Sequence, residues 1–326
     1  NSTRPALVGL IMVSKVVATT YGGPDVLALI DETIGPPGPG EVLLEVRAAG
    51  TNPIDFKLYS GDMGRDPAAL PLSVGLEASG VVLAVGAGAT GPAGAIAPGD
   101  EVIAYQASGA YAGQLLVPGS AVVPKPTTLS FEQASGLLLT GTTAVHALTA
   151  VEVTEGDVVL IHGAAGGVGL IAVQLAVARG ATVIGTASGG SHAELRRLGA
   201  QPVTYGEGLV DRIRAVAPNG VDAAIDAVGT EEALQASLEL VSGRTRIATL
   251  AASKRGLELG IKALGGAPGA DPGTEIRDAA RLQLVQLAEQ GRLEITVAAT
   301  YPLSEADEAN RQLAAGHTHG KIVLIP

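Results

Sequence analysis

The chain has 326 residues, and its 21 Lys and Arg against 32 Asp and Glu leave a formal charge of −11. Aromatic residues make up 2% and hydrophobic residues 47%, so a core must be built from Val, Ile, Leu and Ala, over a length that suggests two domains and excludes a disordered chain. Cysteine is absent, which excludes disulfides, cysteine nucleophiles and thiolate metal sites, and the acidic balance argues against nucleic-acid binding by phosphate neutralisation.

Residues 1–11 precede Met12, which opens the more natural beginning MVSKVVATTYGGPDVL, and are expected to be a tag remnant or extension outside the fold. One Arg before a short apolar stretch does not make a secretory signal. The runs SKVVATT, EVLLEVRAAG, SGVVLAVG, DEVIAYQ and GQLLVPGSAVVPKP are short and β-rich with Gly or Pro punctuation, the pattern of a small barrel or sandwich. At Ser130 the pattern changes: Ser130 and Gln133 stand at capping-box spacing, which predicts a helix through ASGLLLTGTTAVHAL.

Strands and helices then alternate. DVVLIHG is a strand and GGVGLIAVQLAVARG a helix; ATVIGTAS and HAELRRLGA, PVTY and LVDRIRAVAP, VDAAIDAVG and EEALQASLELVSG repeat the pair. RIATLAA and LELGIKAL are read as two more strands. This alternation predicts an α/β fold with a doubly wound parallel sheet. The tail gives a helix (TEIRDAARLQLVQLAEQG), a strand (ITVAATYPL), a helix in SEADEANRQLAAG with Ser304 and Asp307 at cap-like spacing, and a last strand, KIVLIP. The tail is expected to return to the first domain. The uncharged stretches 78–99, 134–151 and 158–178 are interrupted by Pro92 and Pro98, by Thr142, Thr143 and His146, and by GAAGGVG, so no membrane span is predicted.

VVLIHGAAGGVGLIAVQLA carries a strand into a Gly-rich turn and a helix. The G-x-G-x-x-G template falls on Ala164, Gly166 and Gly169, its first glycine replaced by Ala. Gly166 would let backbone approach a pyrophosphate, Gly169 would let the helix pack on the strand, and the helix start, with Gly167 and Val168, supplies N–H donors. An NAD site carries an acid about 20 residues on, at the ribose 2′-OH. Here the second strand ends Gly185-Thr186-Ala187-Ser188-Gly189 with no acid, which favours NADP; Ser188 can donate to a 2′-phosphate and Arg196 or Arg197 can add charge.

Together with these features, TNPIDFKLYSG, GLEASGVV, GAYAGQLLVP, GLLLTGTTAVHAL, AAGGVG, AVGTEEAL and HGKIVL give a chain that resembles, over nearly all of 12–326, the zinc-free quinone oxidoreductase (zeta-crystallin-like) branch of the medium-chain dehydrogenase/reductase superfamily. The resemblance implies a Rossmann NADP-binding domain, 131–272, and a GroES-like β-rich catalytic domain made of 12–130 and 273–326. It also implies a homodimer, in which LELGIKAL would be a sheet edge. Where zinc relatives carry Gly-His-Glu, this chain reads Gly75-Leu76-Glu77; Leu cannot ligate, and His317-Thr318-His319 is read as a polar turn, so no metal site is expected.

Without a metal to polarise a simple carbonyl, the expected acceptors are quinones or enones, reduced by NADPH with a hydrogen-bond donor stabilising the product anion. The resemblance places Asn52 beside the nicotinamide ribose or the substrate and gives Lys57 as a donor to the developing oxyanion, with Tyr59 a further donor. It also sets Thr142 at the nicotinamide end and Tyr205 at the 2′-phosphate. Thr186, Val228, Leu250 and Ala251 complete the cofactor set, the last two through backbone. Asp55 is read as a structural cap. The competing readings are an enoyl-thioester reductase of a biosynthetic pathway and a non-catalytic NADPH-binding or sensing protein. The expected location is the cytoplasm.

Overall fold

The computed structural model describes residues 9–326, and its first strand begins at Ile11. In chain order the elements are β1 (Ile11–Ala18), β2 (Leu27–Ile34), β3 (Glu41–Gly50), α1 (Pro53–Ser60), β4 (Leu72–Ser73), β5 (Glu77–Val85), β6 (Thr90–Gly91), β7 (Gly94–Ala95), β8 (Glu101–Tyr105), β9 (Gln114–Pro118), β10 (Val122–Pro124) and α2 (Phe131–Ala134). There follow α3 (Leu138–Ala150), β11 (Val158–His162), α4 (Gly167–Ala178), β12 (Thr182–Thr186), α5 (His192–Arg197), β13 (Ala200–Val203), α6 (Leu209–Val216) and β14 (Ala223–Asp226). The chain ends with α7 (Glu231–Leu240), β15 (Ile247–Thr249), α8 (Ser253–Leu259), β16 (Lys262–Ala263), α9 (Thr274–Glu289), β17 (Val297–Pro302), α10 (Ala306–Ala315) and β18 (Lys321–Ile325).

These elements form two units. The first holds residues up to Leu139 with Val297–Gly316 and Ile322–Pro326; the second holds Thr140–Thr296 and His317–Lys321. In the first, a seven-stranded sheet runs β10-β8-β5-β3-β18-β17 with β9 also on β3, and a smaller sheet runs β2-β1-β4. Along β3 the buried Leu44 and Val46 alternate with Glu45 and Arg47, the period-two pattern of a strand with one buried face. Leu44, Ala78, Val102, Tyr111 and Leu324 meet in its core.

In the second unit all six strands are parallel, in the order β13-β12-β11-β14-β15-β16. Helices cover the sheet, so strands such as VVLIH are apolar up to their last residue rather than alternating. Leu160, Ile184, Ala224, Ile247, Leu234 and Ile213 form its core.

Several elements differ from expectation. Ile11, expected outside the fold, pairs with Ile34; of the rest of that expected extension, residues 1–8 lie outside the described residues. The Ser130–Gln133 capping box is present, but its helix is four residues long, and α3 starts anew after Gly136. LELGIKAL is not one strand: Ser253–Leu259 is the crossover helix that parallel pairing of β15 with β16 requires, Gly260 caps it in the left-handed region at φ +70, and only Lys262–Ala263 is strand. Before α10 a 3-10 turn, Leu303–Glu305, occupies the place of the expected Ser304 cap. Helix α9, expected with the chain ends, packs within the second unit, where Leu284 lies against Gly141 and Arg277 donates to Thr143 (3.1 Å). Among the described residues no helix is long and apolar enough to cross a membrane.

Candidate active site

The glycine turn lies at the carboxyl end of the parallel sheet. Gly163 adopts φ +74, and Gly166 caps α4 with extended backbone. A Cβ at Gly169 would overlap the Gly163 carbonyl and stand 2.7 Å from Ala164, so this glycine serves the close packing of α4 on β11. Ala164, the departure from the template, fills the space above Gly185: a Cβ there would be 2.7 Å from the Ala164 methyl. A Cβ at Gly166 would meet nothing nearer than the Gly163 carbonyl at 3.5 Å. Nothing in the protein crowds Gly166, Gly167 and Val168 are also partly exposed, and the first turn of a helix offers unsatisfied N–H groups. Such a cradle fits a pyrophosphate.

One polar row supports the turn. The last residues of four strands, Thr186, His162, Asp226 and Thr249, are register neighbours across the sheet and all are buried. Thr186 Oγ1 accepts the Gly163 N–H (3.2 Å) and its carbonyl accepts Ala164 N–H (3.0 Å), so Thr186, expected as a cofactor ligand, holds the turn from below. Asp226 accepts from Thr249 Oγ1 (2.7 Å) and from the N–H groups of Val228 (3.0 Å) and Gly229 (2.8 Å). Thr249 Oγ1 in turn accepts from Ala251 and Ala252 N–H. Asp226 and Thr249 thereby shape the loops bearing Val228, Leu250 and Ala251, and sequence reasoning missed both. The signal was a polar residue closing each apolar strand.

His162 completes the row. Ser237 Oγ gives its proton to the Ala233 carbonyl (2.9 Å), so it accepts from His162 Nε2 (3.0 Å), which carries the ring proton. Burial pushes this imidazole down to about 4, against a weaker opposing effect of Asp226 and Glu232.

Other expected cofactor residues divide clearly. Val228 is half exposed beside Gly163. Leu250 and Ala251 are partly exposed at the end of β15. Tyr205 is exposed just beyond β13, and Ser188 is partly exposed just beyond β12. Arg197 does not add free charge: it bonds Glu194 (2.7 Å) and Glu294 (2.5 Å). Arg196 is exposed at the last turn of α5. Thr142 is fully buried in α3, in the stretch where His146 is held between the Asp271 carboxylate (3.2 Å) and Arg277 Nε–H (3.1 Å).

In the first unit, Asn52 caps α1. Its N–H donates to Asp55 Oδ2 (2.9 Å) and its amide Nδ2 to the buried carboxylate of Glu77 (3.0 Å), whose other oxygen accepts Leu139 N–H (3.0 Å). Asp55 also accepts from Tyr111 (2.7 Å), as befits the expected structural cap. The expected donor Tyr59 is not placed for chemistry. It is 1% exposed, its hydroxyl donates to Asn310 Oδ1 (2.9 Å), and burial first and Asp55 second hold its proton far more tightly than usual. The reason is helical phase: Lys57 and Tyr59 stand two positions apart on α1, so the two face different directions. Lys57 is half-buried, and among the described residues its ammonium has no hydrogen-bond or ion-pair partner.

A parallel sheet with this turn, and a separate β unit made of both chain ends, defines a dinucleotide-dependent oxidoreductase. Residues 38–127 match the family described as alcohol dehydrogenase GroES-like domain, and 198–324 the one described as zinc-binding dehydrogenase. The chain is 31% identical to the synaptic vesicle membrane protein VAT-1 homolog of Mus musculus, over 95% of this chain and 83% of that protein. It is 33% identical to the quinone oxidoreductase of Pseudomonas aeruginosa, over 97% of this chain and all of the relative. The structure of Escherichia coli quinone oxidoreductase complexed with NADPH superposes with a TM-score of 0.83 at 30% identity, covering 96% of this chain and 100% of that one. The chain belongs to the quinone oxidoreductase branch of the medium-chain dehydrogenase/reductase superfamily.

Proposed function

We propose that this oxidoreductase uses NADPH to reduce quinones or α,β-unsaturated carbonyls and needs no zinc. The observation that carries the cofactor is the uncrowded face of Gly166 above the N–H groups of α4, joined to an acid-free loop after β12. The E. coli relative complexed with NADPH supports the same reading. NADPH, when bound, supplies a hydride equivalent to an electron-poor carbon of the acceptor.

The chain's residues do the rest. Gly166, Gly167 and Val168 receive the pyrophosphate, and Ser188 and Tyr205 the adenosine end. Thr142, Val228, Leu250 and Ala251 orient the nicotinamide end. Asn52, its amide fixed by Glu77, orients the reacting groups, and Lys57 places positive charge at the acceptor oxygen as it gains electrons. Zinc independence is supported by the absence of cysteine and by Leu76 at the ligand position. In addition, no group of three or more His, Asp or Glu among the described residues could hold a metal. A homodimer and a cytoplasmic location belong to the same proposal.

The test follows NADPH and NADH absorbance with 1,4-benzoquinone, 9,10-phenanthrenequinone, an alkyl enone and a saturated ketone. The expected result is oxidation of NADPH by quinone or enone. Turnover confined to NADH, or to the saturated ketone, would overturn the cofactor or the acceptor assignment. Tight NADPH binding without any turnover would point to a thioester acceptor or a sensing role.

A further inference from the structure

A 2′-phosphate needs donors at the end of β12, yet the loop there supplies no free cation of its own. In 187–193 the sole titratable side chain is His192, and its Nε2 lies against the Ala187 carbonyl at 3.1 Å. Arg197 is spent on Glu194 and Glu294. The fold brings an imidazole from elsewhere. Ser191 Oγ lies 2.9 Å from Nδ1 and 3.2 Å from Nε2 of His319, 128 residues away in sequence.

The placement of His319 is anchored twice. Its neighbour Gly320 pairs with Gly166, the cap of α4, and the Lys321 stem runs past Gly167, its Cδ 3.1 Å from where a Cβ would stand. The imidazole segment therefore lies along the glycine turn. Ser191 is 3% exposed whereas His319 is exposed, so a buried serine holds the imidazole of an exposed residue. A hydroxyl engages one ring nitrogen at a time and leaves the other for a ligand. Gly189 and Gly190 have no protein atom within 4 Å of a built Cβ, which leaves room beside them.

We infer that His319, held by Ser191, receives the 2′-phosphate and sets the preference for NADPH over NADH in this chain. The inference rests on the dinucleotide reading above: in this fold the ribose 2′ substituent falls at the end of the second strand, which is β12. A charge-assisted bond from an imidazole to a phosphate oxygen is stronger than one between neutral groups.

The test measures dissociation constants for NADPH and NADH by calorimetry, with no acceptor present, and displacement of NADPH by 2′-phosphoadenosine against adenosine. The proteins are the parent, His319→Ala, His319→Gln, Ser191→Ala and, as the competing exposed cation, Arg196→Ala. His319→Ala is expected to weaken NADPH about tenfold and leave NADH within about twofold. It should also remove the advantage of 2′-phosphoadenosine, with His319→Gln recovering part of the loss. Equal weakening of both cofactors, or none, overturns the inference; so does a larger effect from Arg196→Ala. Failure of the parent to bind either dinucleotide would overturn the dinucleotide reading itself, and shows before any variant is made. Unchanged thermal melting of His319→Ala separates lost contact from lost fold.

Discussion

Gly166 and Gly169 belong to one turn, but the structure gives them different duties. At Gly169 a methyl group would collide with the Gly163 carbonyl and Ala164, so α4 would have to move off β11. Gly169→Ala is expected to cost about 1–3 kcal/mol as an overpacked contact. At Gly166 the backbone, φ −77 and ψ 177, suits any residue, and the nearest atom is at ordinary contact distance. Gly166→Ala should therefore fold almost as well, losing under about 1 kcal/mol of N-cap preference, while its methyl occupies the space a pyrophosphate needs. Urea denaturation with NADPH calorimetry reads both effects. A Gly166→Ala protein that binds NADPH like the parent, or melts as readily as Gly169→Ala, would remove the case for a phosphate cradle. The template made both glycines legible in sequence; it did not tell which served packing and which a ligand, because that depends on carbonyl positions. Tyr59 shows the opposite failure, since an aromatic hydroxyl two residues from Lys57 looks available until the helix turns it toward Asn310.

At the scale of elements, the alternating strands and helices of the second unit were readable because a doubly covered parallel sheet makes each strand a short apolar run. Strand β2, LALIDETI, and helix α1, PIDFKLYS, were not: β2 has no buried residue, and α1 has too short an apolar stripe to show a period. The polar residues closing β11, β14 and β15 were visible but unassigned, while Thr186, closing β12, was assigned to the cofactor, and the row has a consequence for stability. His162 is neutral in the folded protein down to about pH 4, whereas an exposed imidazole titrates near 6.5. Between these values the unfolded chain binds more protons, so stability rises with pH there and is lost as pH falls from about 6.5 to 4. The loss from this one group is at most on the order of 3 kcal/mol. Urea midpoints of the parent and of His162→Gln, taken from pH 7.5 to 4.5, should converge as pH falls. Parallel curves would mean that His162 is not buried in its neutral form.

The whole chain makes a statement that no single site does. A catalytic zinc takes three protein ligands and a structural one four, drawn from Cys, His and carboxylates. This sequence has no cysteine and five histidines. Four of those histidines are already engaged: His146 with Asp271 and Arg277, His162 with Ser237, His192 with the Ala187 carbonyl, and His319 with Ser191. Recruiting the buried His146 or His162 would undo contacts inside the second unit, and among the described residues no histidine lies in a group of three or more ligating side chains. On the zinc-independent reading proposed above, the match of 198–324 to a family described as zinc-binding dehydrogenase reports shared fold, and chemistry has to be argued from ligands. Preincubation with 1,10-phenanthroline or with N-ethylmaleimide should leave NADPH-dependent quinone turnover unchanged, and added zinc should not raise it. Elemental analysis of the purified protein should find no stoichiometric zinc. Loss of turnover to the chelator, restored by zinc, would require a site built from nitrogen and oxygen ligands alone. It would also reopen saturated carbonyls as acceptors, because the case for quinones and enones depends on the want of a Lewis acid.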